Sequence, residues 1–485
     1  MHTIHGVCTR FFNLILEIGA VNVYIVSMTM WSPGLAHGSG PRYRAIVDAL
    51  AADVASGALP PGHRLPTHRE LAERLGVTVG TVTRAYGEAA RLGLVSGEVG
   101  RGTFVRGGEA RPDEADRGPI DLAQNHPPEP AVPPQRAALL DSLAALSVRR
   151  DFDRLLDYPV AGGNPADREA GAQWIARAGV GATAERVVVC SGSQHGLMVL
   201  LATLLQPGDL LLTESLTYAG LKSVAGLLHL RLAGLAVDRD GLRPDALLAA
   251  CRERAAKALY IIPTLHNPTT AVMPAERRRE IVTIAAKHGL AIVEDDVHGL
   301  LPERRSEPLA ALAPESVYYL TSTSKTLAPG LRVAYVLAPG RMIPRLTESL
   351  RATTWAVAPL TATIASSWIR EGTADTILAA RRREASERQA LAREILGGAD
   401  FDSQPEAYYL WLRLPEPWRR DEFAAVLRAR GVEVTSAAAF AVGRDPAPHA
   451  VRLCLGAARR ESLVRGLELV AEVLRSGGEA RAAVV

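Results

Sequence analysis

Near-continuous apolar runs alternate with helical patterns in the larger, C-terminal part of the chain. The runs lie at 187–190, 209–214, 258–263, 290–296, 316–322 and 331–338. Strands that are apolar on both faces and separated by helices predict a mostly parallel sheet with helices on both sides. Because such sheets bind ligands at the carboxyl ends of their strands, we expect the chemistry of this α/β body at those ends.

Residues 41 to 105 have a different pattern, of three short amphipathic helices followed by two strands. An apolar face repeats at helical spacing over 43–54, Thr67 opens a capping box, and Thr78 caps a third helix. The glycine-rich stretch 94–105 then predicts a hairpin. This order is typical of a winged helix-turn-helix, although the periodicity alone fits an ordinary three-helix bundle equally well.

The N-terminal extension, residues 1–40, contains an apolar run at 11–31 that raises the question of a membrane anchor. Glu17 lies near its middle, where an acidic group costs about 2.5–3.5 kcal/mol on insertion, and no small-residue cleavage site follows. We therefore expect no membrane association and favour Met28 or Met30 as the translation start.

Composition indicates a globular protein of several domains. The 485 residues are 48% apolar and 22% charged, with a net charge of +3. A local basic patch must therefore supply any affinity for nucleic acid. Cys8, Cys190, Cys251 and Cys454 are far apart, which argues against a disulfide framework or a metal site and favours a cytoplasmic location.

One lysine and one turn carry the candidate chemistry of the body. Only four of the 55 basic residues are lysines, and Lys325 follows the run at 316–322. An amine buried there has a lowered pKa and can form an imine with an aldehyde. The turn 191–196 leads into an apolar helix and can bind a phosphate. Pyridoxal 5′-phosphate carries both an aldehyde for the amine and a phosphate for the turn. The acidic cluster 294–296 fits either a metal site or a helix cap.

Two sets of motifs resemble known families. The string G-x-x-L-P-x-x-R-E-L-A-x-x-L-G-V-T, followed by T-V-T-R-A-Y and G-R-G-T-F-V, resembles the DNA-binding domain of the GntR family. Residues from about 120 to 475 resemble the fold type I aminotransferases, and the whole chain resembles the MocR subgroup of GntR regulators. The implied domains are a winged helix-turn-helix head (41–106), a linker rich in proline and glycine (107–136), a large cofactor-binding domain (137–345) and a smaller α+β subdomain (346–478).

The resemblance to aminotransferases implies a role for each residue around pyridoxal 5′-phosphate. Lys325 would form the Schiff base, Asp295 would pair with the pyridinium nitrogen, and Asn267 would hydrogen-bond the phenolic oxygen. Tyr218 would stack on the ring. The phosphate would be held by Ser193, Gln194, Ser322 or Ser324, and Arg332.

Two further residues imply partners. Tyr158 matches a tyrosine that the family donates to the phosphate from the second subunit, which implies a homodimer. Arg452 matches the clamp for the carboxylate of an amino compound, a role that suits a planar guanidinium.

The resemblance to GntR proteins implies a surface for double-stranded operator DNA. The implied DNA-binding residues are Arg69, Thr78, Thr81, Arg84, Arg101 and Gly102. Many members have arginine just after the position of Thr78, whereas this chain has Val79 and Gly80. We therefore expect weaker or apolar base contacts there, such as a contact with a thymine methyl group.

These motifs favour a transcriptional regulator whose body binds pyridoxal phosphate, alone or joined to an amino compound, and so changes how the head contacts DNA. A working aminotransferase with a DNA-binding appendage is the alternative, because Lys325, Asp295 and Arg452 are all present. A membrane-anchored sensor rests only on the run at 11–31. The complete winged head favours the regulator, since a metabolic enzyme has no evident use for a groove-binding helix.

His298 departs from the aminotransferase pattern, which has tyrosine at this position, and its charge is expected to vary across physiological pH. We expect His298→Tyr to shift the pH dependence of the imine absorption band, because an imidazole and a phenol donate differently to the phenolic oxygen. Spectrophotometric titration of the two proteins measures the shift. Superimposable titrations would refute this role.

Overall fold

The computed structural model describes residues 31–33, 41–55, 58–60, 62–92, 94–98, 102–105, 118–130 and 133–476. The chain divides into two compact units, Met1–Arg117 and Gly118–Val485. The apolar run at 11–31 lies outside these ranges except for Trp31. Within the described ranges, no helix is long and apolar enough to cross a membrane.

The first unit is the winged helix-turn-helix that the pattern predicts. Its elements are α1 Arg42–Ala55, α2 His68–Leu75, α3 Val79–Arg91, β1 Val95–Glu98 and β2 Gly102–Val105, with β1 and β2 antiparallel. Thr67 forms the predicted capping box, and Thr78 caps α3. The apolar faces of the three helices, including Ile46, Leu71 and Val82, bury one another in a single core.

A seven-stranded sheet forms the centre of the second unit. Its strands are β4 Val187–Cys190, β5 Leu210–Glu214, β6 Arg231–Leu235, β9 Ala256–Ile261, β10 Ala291–Asp295, β11 Val317–Ser322 and β12 Ala334–Leu337. The strand order is β4-β12-β11-β10-β9-β5-β6, and only β12 runs antiparallel to its neighbours. This confirms the expected mostly parallel sheet. The sequence runs did not reveal β6, because this edge strand is partly exposed.

Helices cover both faces of this sheet and continue into the C-terminal part. They are α4 Pro134–Ser147, α5 Pro165–Ala176, α6 Ser193–Leu204, α7 Ala219–Leu227, α8 Pro244–Glu253, α9 Ala275–Lys287, α10 Leu309–Leu312, α11 Thr323–Thr326, α12 Ile343–Arg351, α13 Pro359–Glu371, α14 Thr373–Ile395, α15 Arg420–Ala429 and α16 Arg460–Ser476. Two separate apolar cores, one on each side of the sheet, result from this arrangement.

The C-terminal part has a smaller sheet with its own core. The strands β13 Phe401–Asp402, β14 Tyr409–Arg413, β17 Ala450–Cys454 and β16 Thr435–Ser436 are antiparallel neighbours in that order. Strand β15 Val432–Glu433 pairs in parallel with β3 Ile120–Asp121, and a short hairpin joins β7 Val237–Asp238 to β8 Gly241–Leu242. The arrangement agrees with an α+β subdomain.

Residues 120–129 form a segment that we call the strap, which lies within the expected linker at 107–136. Ile120 and Leu122 are buried in the core of the small subdomain, and the N–H of Cys454 donates to the carbonyl of Leu122 over 2.8 Å. The high proline content masked these two apolar positions. The strap is thus part of the second unit, whereas residues 106–117 lie outside the described ranges.

Gly456 leaves the room that the strap needs. A Cβ atom at Gly456 would overlap the carbonyl oxygen of His126. We expect Gly456→Ala to lower the free energy of unfolding of the second unit by about 2 kcal/mol, because the strap backbone must shift. Denaturant unfolding followed by circular dichroism measures the change.

The matched control is Gly226→Ala in α7. Nothing lies within 4 Å of a Cβ atom at Gly226, so alanine there is expected to leave stability unchanged or raise it slightly. Equal losses for the two variants would contradict the role of Gly456.

Candidate functional site

A cavity of about 400 Å³ lies at the carboxyl ends of the central strands. The turns that follow β4, β5, β9, β10 and β11 all reach this edge of the sheet because these strands are parallel. Most of the predicted site residues line the cavity, namely Ser193, Gln194, Tyr218, Asn267, Asp295, His298, Ser324, Lys325, Arg332 and Arg452. Tyr158 and Ser322 do not.

Lys325 extends from the short helix α11 into this cleft. Its Nζ donates to the carbonyl of Asn125 in the strap. Burial lowers the pKa of the amine to about 8, and the nearby Arg452 and Arg332 lower it as well. Lys325 is therefore a nucleophilic amine at mildly alkaline pH.

Asp295 ends β10 and is almost fully buried. Burial raises the pKa of its carboxyl to about 6, although a hydrogen bond from Tyr260 opposes that shift. The Tyr260 hydroxyl donates to Asp295 Oδ2 over 2.5 Å. The carboxylate is therefore held in one orientation at the base of the cleft.

Arg452 and Asn267 form a pair that lines the same cleft. Arg452 donates from Nη1 to Asn267 Oδ1 and from Nη2 to the carbonyl of Ala123, each over 2.7 Å. Its guanidinium carbon also lies 4.8 Å from the centre of the Phe440 ring. The buried Nε has no partner among the described residues, so the guanidinium retains a donor for a carboxylate.

The turn before α6 forms an anion cradle with Arg332. Gly192 has a φ of 89°, and a Cβ atom there would overlap the Arg332 guanidinium, so glycine is required. Ser193 begins α6, whose free N–H groups and dipole attract an anion. Ser324 lies 3.5 Å from Arg332 Nη1, whereas the Ser322 hydroxyl caps α11 and does not line the cleft.

Tyr218 and Gln194 support each other at the wall of the cleft. The Tyr218 hydroxyl donates to Gln194 Oε1 over 3.0 Å, and Gln194 Nε2 donates to the carbonyl of Gly220 over 2.9 Å. The side chain of Gln194 is thus engaged within the protein, and its backbone N–H remains the group available to a phosphate.

His298 differs from its expected behaviour. Burial, together with Lys325 and Arg452, lowers its pKa well below the usual value, so the imidazole is neutral across physiological pH. The expectation of a charge that varies in this range is therefore wrong. Its Nε2 lies 3.2 Å from the Asn125 amide nitrogen, and its buried Nδ1 has no partner among the described residues.

Sequence reasoning missed Asn125, Tyr260 and Cys454. Asn125 lies in a proline-rich stretch that predicted only a connector, and Tyr260 is one aromatic residue within an apolar strand. Cys454 ends β17, where its Sγ contacts the carbonyl of Ala123 over 3.3 Å. The two-residue spacing from Arg452 was the only signal for Cys454, since both side chains then lie on one face of the strand.

Tyr158 lies outside the cleft of its own chain. Its side chain is 90% exposed, and its ring centre lies 5.9 Å from that of Trp355. Its predicted role from a second subunit stays a prediction.

The head presents most of the predicted DNA-binding residues at its surface. Arg69 and Thr78 are exposed, and the Thr78 hydroxyl caps α3 by accepting from the Thr81 N–H over 3.2 Å. The Arg84 guanidinium lies 4.3 Å from the Tyr43 ring centre, so it packs on α1 and does not extend freely. Beside the wing, the Arg64 side chain packs against Gly102, and Arg101 lies outside the described residues.

Comparison with known proteins defines the class. Residues 117–467 match the family described as aminotransferase class I and II, and residues 42–105 match the bacterial regulatory proteins of the gntR family. These two matches describe a winged head that is joined to a body with the fold of type I aminotransferases.

The chain belongs to the MocR subgroup of GntR transcriptional regulators. It is 31% identical over 451 residues to the uncharacterized HTH-type transcriptional regulator YdeF of Bacillus subtilis, covering 92% of this chain and 96% of YdeF. It is 26% identical over 384 residues to the probable rhizopine catabolism regulatory protein MocR of Rhizobium meliloti, covering 72% and 76%.

The body also has the fold of solved aminotransferases. An archaeal alanine:glyoxylate aminotransferase superimposes with a TM-score of 0.69 at 24% identity, over 76% of this chain and 93% of that protein. At this level of identity the likeness concerns the fold alone.

Family membership implies pyridoxal 5′-phosphate as the cofactor, and the residues of the cleft fit it. Three cationic side chains face the cleft, those of Lys325, Arg332 and Arg452. Asp295 is the only carboxylate among the described residues that line it, so the cavity favours an anionic ligand. The absence of a side chain at Gly192 lets the Arg332 guanidinium lie against the turn before α6, whose free N–H groups would bind a phosphate. The unpartnered Nδ1 of His298 is a buried polar group that such a ligand would satisfy.

The lowered pKa of Lys325 predicts how its reaction with an aldehyde depends on pH. Only the neutral amine attacks, and with a pKa of about 8 its fraction rises with pH and levels off above that value. Stopped-flow absorbance after mixing cofactor-free protein with pyridoxal phosphate measures the rate. The control is Lys325→Ala, which gives no such phase. A rate that still climbs steeply near pH 10, as for a free lysine, would contradict the shift.

Proposed function

We propose that this protein is a transcriptional regulator that binds pyridoxal 5′-phosphate covalently through Lys325 and responds to an amino compound bearing a carboxylate. The observation that carries the proposal is the meeting of Lys325, Asp295, Arg332 and Arg452 in one cleft of a chain that also contains a winged head. The two parts lie in separate compact units, as expected for a ligand-binding body and a DNA-binding head.

When bound, the cofactor supplies an aldehyde that reacts with amines and a ring that withdraws electrons. Lys325 would hold its aldehyde carbon, while Arg332 and the N-terminus of α6 would bind its phosphate. Asp295 would hold a proton on the ring nitrogen, and Asn267 with His298 would donate to its phenolic oxygen. The wall formed by Tyr218 would exclude water from one face of the ring.

Arg452 would recognise the carboxylate of the effector. The guanidinium now donates to Asn267 and to the carbonyl of Ala123 in the strap. A carboxylate offers two acceptor oxygens in a plane that matches the guanidinium, so it competes well for these donors. Binding of the effector would therefore alter the contacts of the strap.

A homodimer is supported by an exposed apolar surface on the second unit. Its most exposed members are Val148, Leu156, Tyr158 and Val160, with exposed fractions of 81%, 78%, 90% and 62%. Large apolar side chains grouped along a short stretch mark an interaction surface on a soluble protein. We propose that a second copy covers this surface and that Tyr158 thereby reaches the partner's phosphate site.

The head would bind operator DNA in the cytoplasm through α3 and the wing. Val79 opens α3 and is 44% exposed, which supports the expected apolar contact with a thymine methyl group. Arg69 would bind a phosphate of the DNA backbone.

Footprinting over the DNA upstream of the gene tests the proposal. Pyridoxal phosphate is expected to change the footprint of the wild-type protein, whereas Lys325→Ala binds the same DNA without that change. Lys287→Ala, which removes an exposed lysine, is expected to behave as the wild type. In parallel, borohydride reduction and mass spectrometry are expected to find the cofactor on Lys325. An unmodified Lys325 in cofactor-saturated protein would overturn ligand sensing and leave only DNA binding.

An active aminotransferase is the second candidate, because Lys325, Asp295 and Arg452 all face one cleft. Turnover of a panel of amino donors separates the two functions. Fast turnover without sequence-preferring DNA binding would reverse the ranking.

A further inference from the structure

Tyr260 supports Asp295 from the neighbouring strand. Tyr260 on β9 is opposite Val293 on β10 in the parallel register. Asp295 lies two residues beyond Val293, so the side chains of Tyr260 and Asp295 are on the same face of the sheet. This placement lets the Tyr260 hydroxyl donate to Asp295 Oδ2 over 2.5 Å, and both side chains are buried.

The bond from Tyr260 is the shorter of the two that Asp295 accepts from the described residues. The other comes from the N–H of Val297 to Oδ1, over 3.4 Å. The tyrosine therefore fixes which oxygen and which lone pairs of the carboxylate remain free to face the cleft.

We propose that Tyr260 is a positioning residue that orients the Asp295 carboxylate and keeps it ionised for the ring nitrogen of the cofactor. The proposal rests on the proposed function, because it names a residue that acts on the cofactor only through Asp295. A carboxylate that accepts a second hydrogen bond is a weaker base, so the shared proton stays on the ring nitrogen.

The electrostatic surroundings explain why such a bond is needed. Burial raises the pKa of Asp295 to about 6, and the neighbouring Asp296 raises it further, while Tyr260 and Lys325 lower it. Other titratable groups also face Asp295 from the elements packed around it, namely Glu214, Tyr218 and Tyr409. Without the hydrogen bond from the Tyr260 hydroxyl, the pKa of Asp295 is higher, so its carboxyl group takes up the shared proton more readily.

The chain contains a matched pair of the same type that faces away from the cofactor site. The Tyr319 hydroxyl on β11 donates to Asp296 Oδ2 over 2.6 Å, and Arg305 donates to the same oxygen over 2.9 Å. Tyr319 and Asp296 are as buried as Tyr260 and Asp295, but neither lines the cleft. Tyr319→Phe therefore removes an equivalent tyrosine–aspartate bond without touching Asp295.

The test uses the full-length protein loaded with pyridoxal phosphate labelled with ¹⁵N in the ring. The ¹⁵N chemical shift distinguishes a protonated from an unprotonated ring nitrogen. In Tyr260→Phe, the ratio of protonated to unprotonated nitrogen at neutral pH is expected to fall about tenfold, as for loss of a hydrogen bond to a charged group. Tyr319→Phe is expected to keep the wild-type ratio.

The other outcomes separate the two proposals. A Tyr260→Phe spectrum identical to that of the wild type overturns the role of Tyr260, whereas a wild type that binds no labelled cofactor overturns the proposed function. If Tyr260→Phe fails to fold, 3-fluorotyrosine placed at position 260 keeps the shape and makes the hydroxyl a stronger donor. The ratio is then expected to rise, and an unchanged ratio again rejects the role.

Discussion

An imbalance of charge in one buried cleft constrains the rest of this protein. Lys325, Arg332 and Arg452 face the cavity, and Asp295 is the one ionisable carboxylate among the described residues that line it. Cations removed from water are costly unless they are paired or neutralised. The protein meets part of this cost with backbone carbonyls, through the bonds to Asn125 and Ala123, and by lowering the pKa of Lys325. An anionic ligand relieves the remainder, which is why the site suits a phosphate and a carboxylate.

The strap contacts the cationic side chains of the cleft and also packs against the small subdomain. Its carbonyls accept from Lys325 and Arg452, the two residues that a covalent cofactor and an effector would engage. The close approach that Gly456 allows holds the strap against β17 and the small subdomain. The described part of the second unit begins at residue 118, two residues before the strap. A ligand that engages Lys325 or Arg452 would therefore change the contacts of the strap near the start of this unit.

Two consecutive aspartates at the carboxyl end of β10 have different surroundings and different tasks. Asp295 ends β10 and Asp296 follows it, so their side chains lie on opposite faces, and each accepts a hydrogen bond from a buried tyrosine of an adjacent strand. Asp296 also has Arg305 as a counter-ion and serves packing. Asp295 has no arginine bonded to it in the described structure and is left available to a ligand. Strand alternation alone assigns the two carboxylates to these different tasks.

The sequence by itself determined the winged head and the mostly parallel sheet, because these follow from periodicity, caps and apolar runs, and its resemblance to the aminotransferases identified most residues of the cleft. It also indicated Lys325, which follows the apolar run at 316–322 and is one of only four lysines in the chain. Only the tertiary structure showed that Asn125, Tyr260 and Cys454 lie at the site. It also showed that Ser322 caps a helix and that burial lowers the pKa of His298. The reason is physical: burial, cross-strand register and the path of the strap depend on residues far apart in the chain, and no local pattern records them.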